Sequence, residues 1–487
     1  MKKSILISSL LFTFLCSYAQ TAKKLYKNGR DKYSKVDYKG AIADFTKAIE
    51  LDANYAEAYE FRGFIKNEIK DYQGANEDFS KAIEIDSNYV EAYIDRGDLK
   101  YNLKEYQSAI NDYTKAIQID STNYIFFSKR AHAKFDLNND KEAIGDFNKA
   151  IELNPNFKLD QGHYKKTLTE NSKDIQEAIN YANDYLYRGL ANNKLSNYKS
   201  AIIDFTKVLE VNITQFYSRY SELDPNYLYQ KTGYRISDRI LEELSPKIWP
   251  NFIQAGYNRG ISNLKLQYYE EAADDFTNVL KLNNSYTYAN YYRGIATYKF
   301  LEKQGATINM GINKAIEDLT KFINSNPNET DAYLYRGLAI GKTNVIPAEK
   351  AIDDFNMVIK LNPENAEAYY YKAAELFKKN GVFLPKNYTI DDVIDNFTLA
   401  IRYNPYYPEA YFKRGLAYSD FNKKDYKSAI KDYNKAIEFK PNYNEAYYER
   451  GNAKLKLQLK GEACLDWKTA AELGSTLAEA LLKAYCK

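Results

Sequence analysis

The sequence has little that could do chemistry. Among 487 residues there are three cysteines, two histidines, two tryptophans and three methionines. His132 and His163 stand far apart, and no Cys/His group has the spacing of a metal site. No metal, cofactor, catalytic constellation or enzymatic activity is implied. Neither sign of charge is in excess: 68 basic against 65 acidic residues leave a net +3. With no long basic run, that balance gives none of the field a nucleic-acid binder carries. Long apolar runs are missing as well. The one at Ile5–Leu15 is too short to span a bilayer, which takes about 20 residues.

That run has a different use. Lys2 and Lys3 precede it, and Ser17-Tyr18-Ala19 supplies small residues at a cleavage flank, with Gln20 next. Residues 1–19 therefore read as a secretory signal peptide. The mature chain is expected to be exported, to the periplasm or beyond the cell, with no transmembrane segment. A lipid-carrying role for Cys16 is weakened by Leu15, which fills a position the lipoprotein motif reserves for a small residue.

What the chain has in abundance is tyrosine, 48 of them, set in a repeating pattern. Residues 90–123 show one period. Ala92, Tyr93, Arg96, Gly97, Lys100 and Leu103 fall at helical spacing, and after a break at Lys104–Glu105 a second stripe runs through Tyr106, Ala109, Ile110, Tyr113, Ala116 and Ile117. Neither helix could bury its apolar face alone, and 34 residues are too few for a core of their own. The same pattern precedes and follows it, so it is one unit of a stacked array.

With each repeat numbered 1 to 34, position 8 is small (Gly29, Gly63, Gly97, Ala131, Gly189, Gly260, Gly294, Gly337, Ala373, Gly415, Gly451). Position 20 is Ala in all but one repeat, and position 24 is large (Phe45, Phe79, Tyr113, Phe147, Phe205, Phe276, Leu319, Phe355, Phe397, Tyr433, Trp467). A helical glycine costs about 1 kcal/mol relative to alanine, so glycine at one register demands a reason. Close approach of two helices, with the position 24 ring filling the adjoining space, supplies it. Pro155, Pro327, Pro363, Pro405 and Pro441 stop the second helix at position 32.

This pattern resembles the tetratricopeptide repeat (TPR) family. The resemblance implies an all-α fold: a right-handed α-solenoid of about eleven TPR helix pairs with a C-terminal capping helix. Repeats 1–4 occupy 22–157, an insert follows at 158–181, repeat 5 is 182–215, a second insert is 216–252, and repeats 6–11 fill 253–477. The second insert holds a predicted helix from Ser237 to Leu244, stopped by Pro246, and Trp249. Residues 476–487 read as the capping helix, and repeats 7 to 10 are lengthened between their helices.

Position 7 is Arg or Lys in repeats 2 to 11 (Arg62 to Arg450), and position 23 is Asp in every repeat except at Asn396. Both border apolar positions. Unpartnered buried Arg would be very costly, so the two registers are expected to pair. Cys464 and Cys486, the cysteines left after signal removal, are expected to form a disulfide that pins the cap. Gly337–Thr343 comes one residue short of a P-loop and sits inside a helix pattern, so it is not read as one.

The resemblance also implies a groove. In the family the first helices line a concave surface, to which positions 2, 5, 9, 12 and 13 tend to face. Carried onto this chain, repeats 2 and 3 are acidic there (Glu57, Glu60, Glu68, Glu91, Asp98), whereas repeats 5 to 9 are apolar and aromatic with Lys at position 13. The expected ligand-binding residues are Tyr257, Lys265, Tyr291, Tyr298, Lys299, Leu334, Lys342, Tyr370, Phe377 and Lys378. The lysine and asparagine clamp that some TPR modules use on a peptide carboxylate is missing. The function expected is a non-enzymatic, exported scaffold that binds protein or peptide segments in its groove. The alternatives are a structural part of a cell-envelope assembly, using inserts and ends, and a glycan-binding module. The sequence leaves the partner's identity and the oligomeric state open.

Overall fold

A computed structural model of the chain describes residues 18, 20–154, 172–220, 238–305, 309–343, 346–378, 388–420 and 423–486. The signal segment, apart from Tyr18, and most of both inserts, including His163 and the side chain of Trp249, lie outside the described residues. All regular structure among the described residues is α-helical. The chain divides into an N-terminal unit, residues 1–266, and a C-terminal unit, residues 267–487. Within each unit every helix packs on the next in sequence, and several first helices also touch the first helix of the following repeat, the stacking of an α-solenoid.

The repeats fold as their registers require. In repeat 3 the helices are Val90–Asn102 and Tyr106–Ile119. A Cβ placed at Gly97 would lie 2.6 Å from the Tyr113 ring, and one at Gly415 equally close to Tyr433. The glycine is thus a steric necessity, and the rings it admits are almost wholly buried. Asp37, Asp71 and Asp425 begin the second helices of their repeats by accepting a hydrogen bond from a first-turn N–H.

The helix expected from Ser237 to Leu244 does not stop at Pro246. It runs from Asp238 to Lys265, through Pro246 and Pro250 and into the first helix of repeat 6. Each proline removes one intrahelical bond at a cost of about 3 kcal/mol. Packing along helices Ser172–Lys194 and Tyr198–Tyr220, themselves extended into the inserts, offsets that cost. At the other end Thr476–Tyr485 forms the cap. Leu481 and Leu482 pack on Trp467, and a disulfide joins Cys464 to Cys486 with Cα atoms 5.8 Å apart.

Candidate functional site

The Arg and Asp registers meet inside eight of the repeats. Arg62–Asp78, Arg96–Asp112, Arg130–Asp146, Arg188–Asp204, Arg293–Asp318, Arg336–Asp354, Arg414–Asp432 and Arg450–Asp466 are ion pairs of 2.5–2.7 Å. Most are two-pronged, with Nε on one carboxylate oxygen and an Nη on the other. The remaining Nη donates to the preceding repeat's position 25, as Arg96 does to Ser80 and Arg336 to Thr320. Each guanidinium therefore joins two repeats as well as two helices. In seven of the eight it also lies over the position 4 ring of its own repeat, Arg188 at 4.9 Å from the Tyr185 centroid; repeat 7 has Asn290 there instead. In repeat 9, where Lys372 and Asn396 replace the pair, Asn396 donates instead to the Asp392 backbone carbonyl, and burial holds the Lys372 ammonium below its usual range.

On this scaffold the first helices present two different faces. In the N-terminal unit the face of repeats 2 and 3 is built from carboxyls. Glu60 is buried, accepts a 3.1 Å bond from the Tyr89 hydroxyl and faces Asp95. Burial, with the Asp95 carboxyl beside it, pushes Glu60 up to about 9, and burial raises Asp95 as well. Asp98 is compensated: Lys129 donates to it at 2.7 Å and the Tyr113 hydroxyl at 2.8 Å. Asp184, buried on the first helix of repeat 5, accepts from Ser128 at 2.6 Å and is pushed by burial up to about 7. His132 is a packed core residue: its ring meets Phe147 and Tyr187 edge-on, its Nδ1 lies 2.8 Å from the Ser128 carbonyl, and burial lowers its basicity.

Tyr257, half-buried, and Lys265, exposed, belong to the N-terminal unit. The other expected ligand residues belong to the C-terminal unit, and three of them are not accessible. Tyr291, Tyr298 and Leu334 are 7 %, 2 % and 6 % exposed. Tyr291 stacks on Phe322 at 4.6 Å, in a core shared with Leu334. Tyr298 packs among Leu301, Ile312 and Ala339, with its hydroxyl donating to Glu302 at 2.9 Å. Tyr291 and Tyr298 are covered by the second helix of their own repeat, through Phe322 and Ile312, and all three share cores with the first helix or the second helix of a neighbouring repeat. Tyr370 and Phe377 are half-buried. Lys342 is exposed at the end of helix Thr330–Gly341, and Lys378 donates to Glu375 at 2.7 Å and to the Gly341 carbonyl.

The half-buried rings of this face include residues that the position 5 reading passed over. Lys299 sits over the Tyr335 ring at 5.4 Å and the Tyr269 ring at 5.9 Å. Tyr335 meets Tyr298 edge-on at 5.9 Å, Tyr370 meets Tyr371 and Tyr407, and Tyr371 stacks on Phe355. Burial pushes the Tyr371 hydroxyl up to about 12, with Glu367, Tyr370, Glu302 and Tyr335 adding to it. Repeats 7 to 9 thus carry a row of hydroxyl-bearing rings in two groups, Tyr298 with Tyr335 and Tyr370 with Tyr371 and Tyr407. The signal that could have found it is tyrosine at position 6, as Tyr292, Tyr335 and Tyr371.

Among the described residues no group of His, Cys, Asp and Glu could hold a metal ion, and no helix is long and apolar enough to cross a membrane. Family models described as tetratricopeptide repeat match residues 90–123 and 127–157, and one described as TPR repeat matches 419–458. No curated protein matches the chain. Among solved structures it is similar to the TPR protein YrrB, described as having an unusual peptide-binding site, at 18 % identity over 50 % of this chain and 95 % of that one, TM-score 0.35. It is also similar to yeast Tom70, at 15 % identity over 95 % and 94 %, TM-score 0.32. The APC/C hetero-tetramer Cut9–Hcn1 aligns at 14 % identity over 97 % and 98 %, TM-score 0.39. The family matches and the repeat geometry together make this chain a tetratricopeptide-repeat protein. Its fold is that of a protein–protein interaction scaffold.

Proposed function

We propose that the chain is an exported, non-enzymatic scaffold that holds a protein or peptide segment on the first-helix face of its C-terminal unit. One observation carries this reading. Lys299 rests over Tyr335, half-buried rings recur in the next repeat where Tyr370 meets Tyr371 and Tyr407, and Lys342 and Lys378 are exposed along the register of Lys299. Half-buried tyrosines offer apolar area and a hydroxyl at small entropic cost, and the lysines add charge. The segment that suits them is extended, with apolar or aromatic anchors and acidic residues between. Export rests on the N-terminal sequence Lys2 to Ala19.

The test is capture of partners from the cell envelope by the mature protein, read by mass spectrometry, with and without Lys299→Glu and Lys342→Glu together. Capture should fall sharply and lose its salt dependence while helicity is unchanged. Undiminished capture would remove the interaction from this face. The same envelope fraction tests export: the protein should begin at Gln20.

A further inference from the structure

A cavity of about 460 Å³ opens beside the Arg336–Asp354 pair of repeat 8. It lies away from the ring row, at positions 4, 7 and 11 of the first helix and 22, 23 and 26 of the second, so the inference drawn from it does not rest on the proposed groove. Ile316, Ile340, Ile346 and Met357 form its apolar walls, and its charged lining is Asp353 and Asp354 with Arg336 and Lys350.

The rest of the chain shows what belongs there. In repeats 2, 3, 4 and 11 position 11 is lysine, and its ammonium lies 2.7–2.9 Å from the position 23 carboxylate (Lys66 on Asp78, Lys100 on Asp112, Lys134 on Asp146, Lys454 on Asp466). It shares Oδ2 with the arginine Nε. In repeat 5 an amide stands in, Asn192 donating to Asp204 at 3.1 Å. In repeat 8 position 11 is Ile340, which is buried and has no donor. Arg336 still bonds Asp354 through Nε and Nη, at 2.9 and 2.6 Å. Lys350, exposed at the rim, favours the Asp354 carboxylate through space without closing an ion pair on it. The lysine that repeats 2, 3, 4 and 11 set on this carboxylate is missing here, as it is in repeats 7, 9 and 10 (Thr297, Leu376, Tyr418), and beside Asp354 the volume is open to solvent.

We propose that this cavity is a socket for one lysine side chain of a protein partner. Its methylene stem lies along Ile340, Ile346 and Met357, and its ammonium donates to Asp354 Oδ2 and Asp353. A lysine is singled out because it combines a four-carbon apolar stem with a compact cation of three donors. The cavity is within the size range of small-ligand sites.

The experiment uses the full chain with methyl-labelled isoleucine and methionine, titrated to about 100 mM with N-acetyl-lysine methylamide. The control probe is the norleucine analogue, which has the stem without the ammonium. The Ile340, Ile346 and Met357 methyl signals should move saturably with lysine and about tenfold more weakly with norleucine. Ile340→Lys, which restores the internal lysine, should abolish the response. Equal response to both probes would make this an apolar pocket only and overturn the proposal, as would no response to lysine or an undiminished one in Ile340→Lys. If that variant does not fold, the contrast between the two probes on the unaltered chain decides alone.

Discussion

Repeats 2 and 3 and repeats 7 to 9 are built on one scaffold and present opposite chemistries. Both bury a large residue at position 24 against a small one at position 8, and both N- and C-terminal units pin their helices with an arginine and an aspartate. Yet in repeats 2 and 3 the first helices set carboxyls side by side, Glu60 against Asp95, where repeats 7 to 9 set rings, Tyr298 against Tyr335 and Tyr370 against Tyr371. The scaffold residues all lie between helices, where every repeat has the same space to fill. The first-helix faces have no such common partner, so they are free to differ. Whatever this protein recognises must be read from those differences and not from the repeat itself.

The clamp gives the sharpest contrast between repeats 3 and 8, because its lysine is present in the first and missing in the second. Asp112 holds both Arg96 and Lys100, whereas Asp354 holds Arg336 alone. Asp112→Ala strands two mostly buried cations and should cost about 3–5 kcal/mol; Asp354→Ala strands one and should cost less. Urea unfolding monitored by circular dichroism measures both. Equal costs would mean that the position 11 lysine adds nothing to the clamp.

The cap exists only in the C-terminal unit. Cys486→Ser opens a loop of sequence separation 22 and should lower the stability of that end by about 2–4 kcal/mol. Hydrogen exchange should show residues 476–485 deprotected first while repeats 1 to 4 keep their protection. Exchange that rises equally in repeats 1 to 4 would mean that the bridge does more than hold the cap.

How much of this was legible depends on what fixes each residue. Positions 7, 8, 23 and 24 could be read because one contact in every repeat demands one residue type: Gly97 has no room for a Cβ, and Arg96 cannot be buried without Asp112. Position 25 lay in plain view as Thr46, Ser80, Thr114 and Thr320, but its partner is an arginine of the next repeat, a contact that no single repeat displays. The ligand face was legible only in part. Whether Tyr291 or Tyr335 is accessible depends on which rings the packed helices bring against each, and helical spacing alone does not carry that. Tyr291 is consequently buried on Phe322 while Tyr335 remains open to Lys299.

The carboxyl face predicts a pH response that the tyrosine face should lack near neutrality. Glu60 has its folded pKa raised, so the folded chain favours its protonated form. That contribution is whole below the ordinary carboxylate range and is lost as pH rises towards about 9. Glu60→Gln keeps the shape and removes the charge. It should be close to neutral near pH 4 and stabilise by about 1–2 kcal/mol near pH 8, seen as a rise in Tm that grows with pH. A pH-independent difference would mean that Glu60 is ionised throughout and compensated by another group.

The smallest effect lies in the turns between paired helices. In the regular repeats of the N-terminal unit the residue at position 15 adopts a left-handed backbone although it is not glycine: Val36 at φ 64°, Lys70 at 67°, Lys104 at 63°, Asn138 at 61° and Ser196 at 61°. The hydrogen bonds explain why. Lys104 N–H reaches the Tyr101 carbonyl and Glu105 N–H the Lys100 carbonyl, so the chain reverses tightly at the end of the first helix. The same conformation recurs in regular repeat 11, at Gln458, whereas the lengthened turns of repeats 7 and 8 show no left-handed non-glycine residue among their described positions. A side chain at such a φ costs about 1–2 kcal/mol, and glycine removes that strain while adding freedom to the unfolded chain. Lys104→Gly should therefore stabilise by roughly 0.5–1 kcal/mol, a small rise in urea midpoint without a change in slope. Glycine at Lys350, inside helix Ala348–Leu361 of lengthened repeat 8, should instead destabilise by about 1 kcal/mol. A Lys104→Gly protein less stable than the parent would show that the Lys104 side chain contributes more than its backbone strain removes.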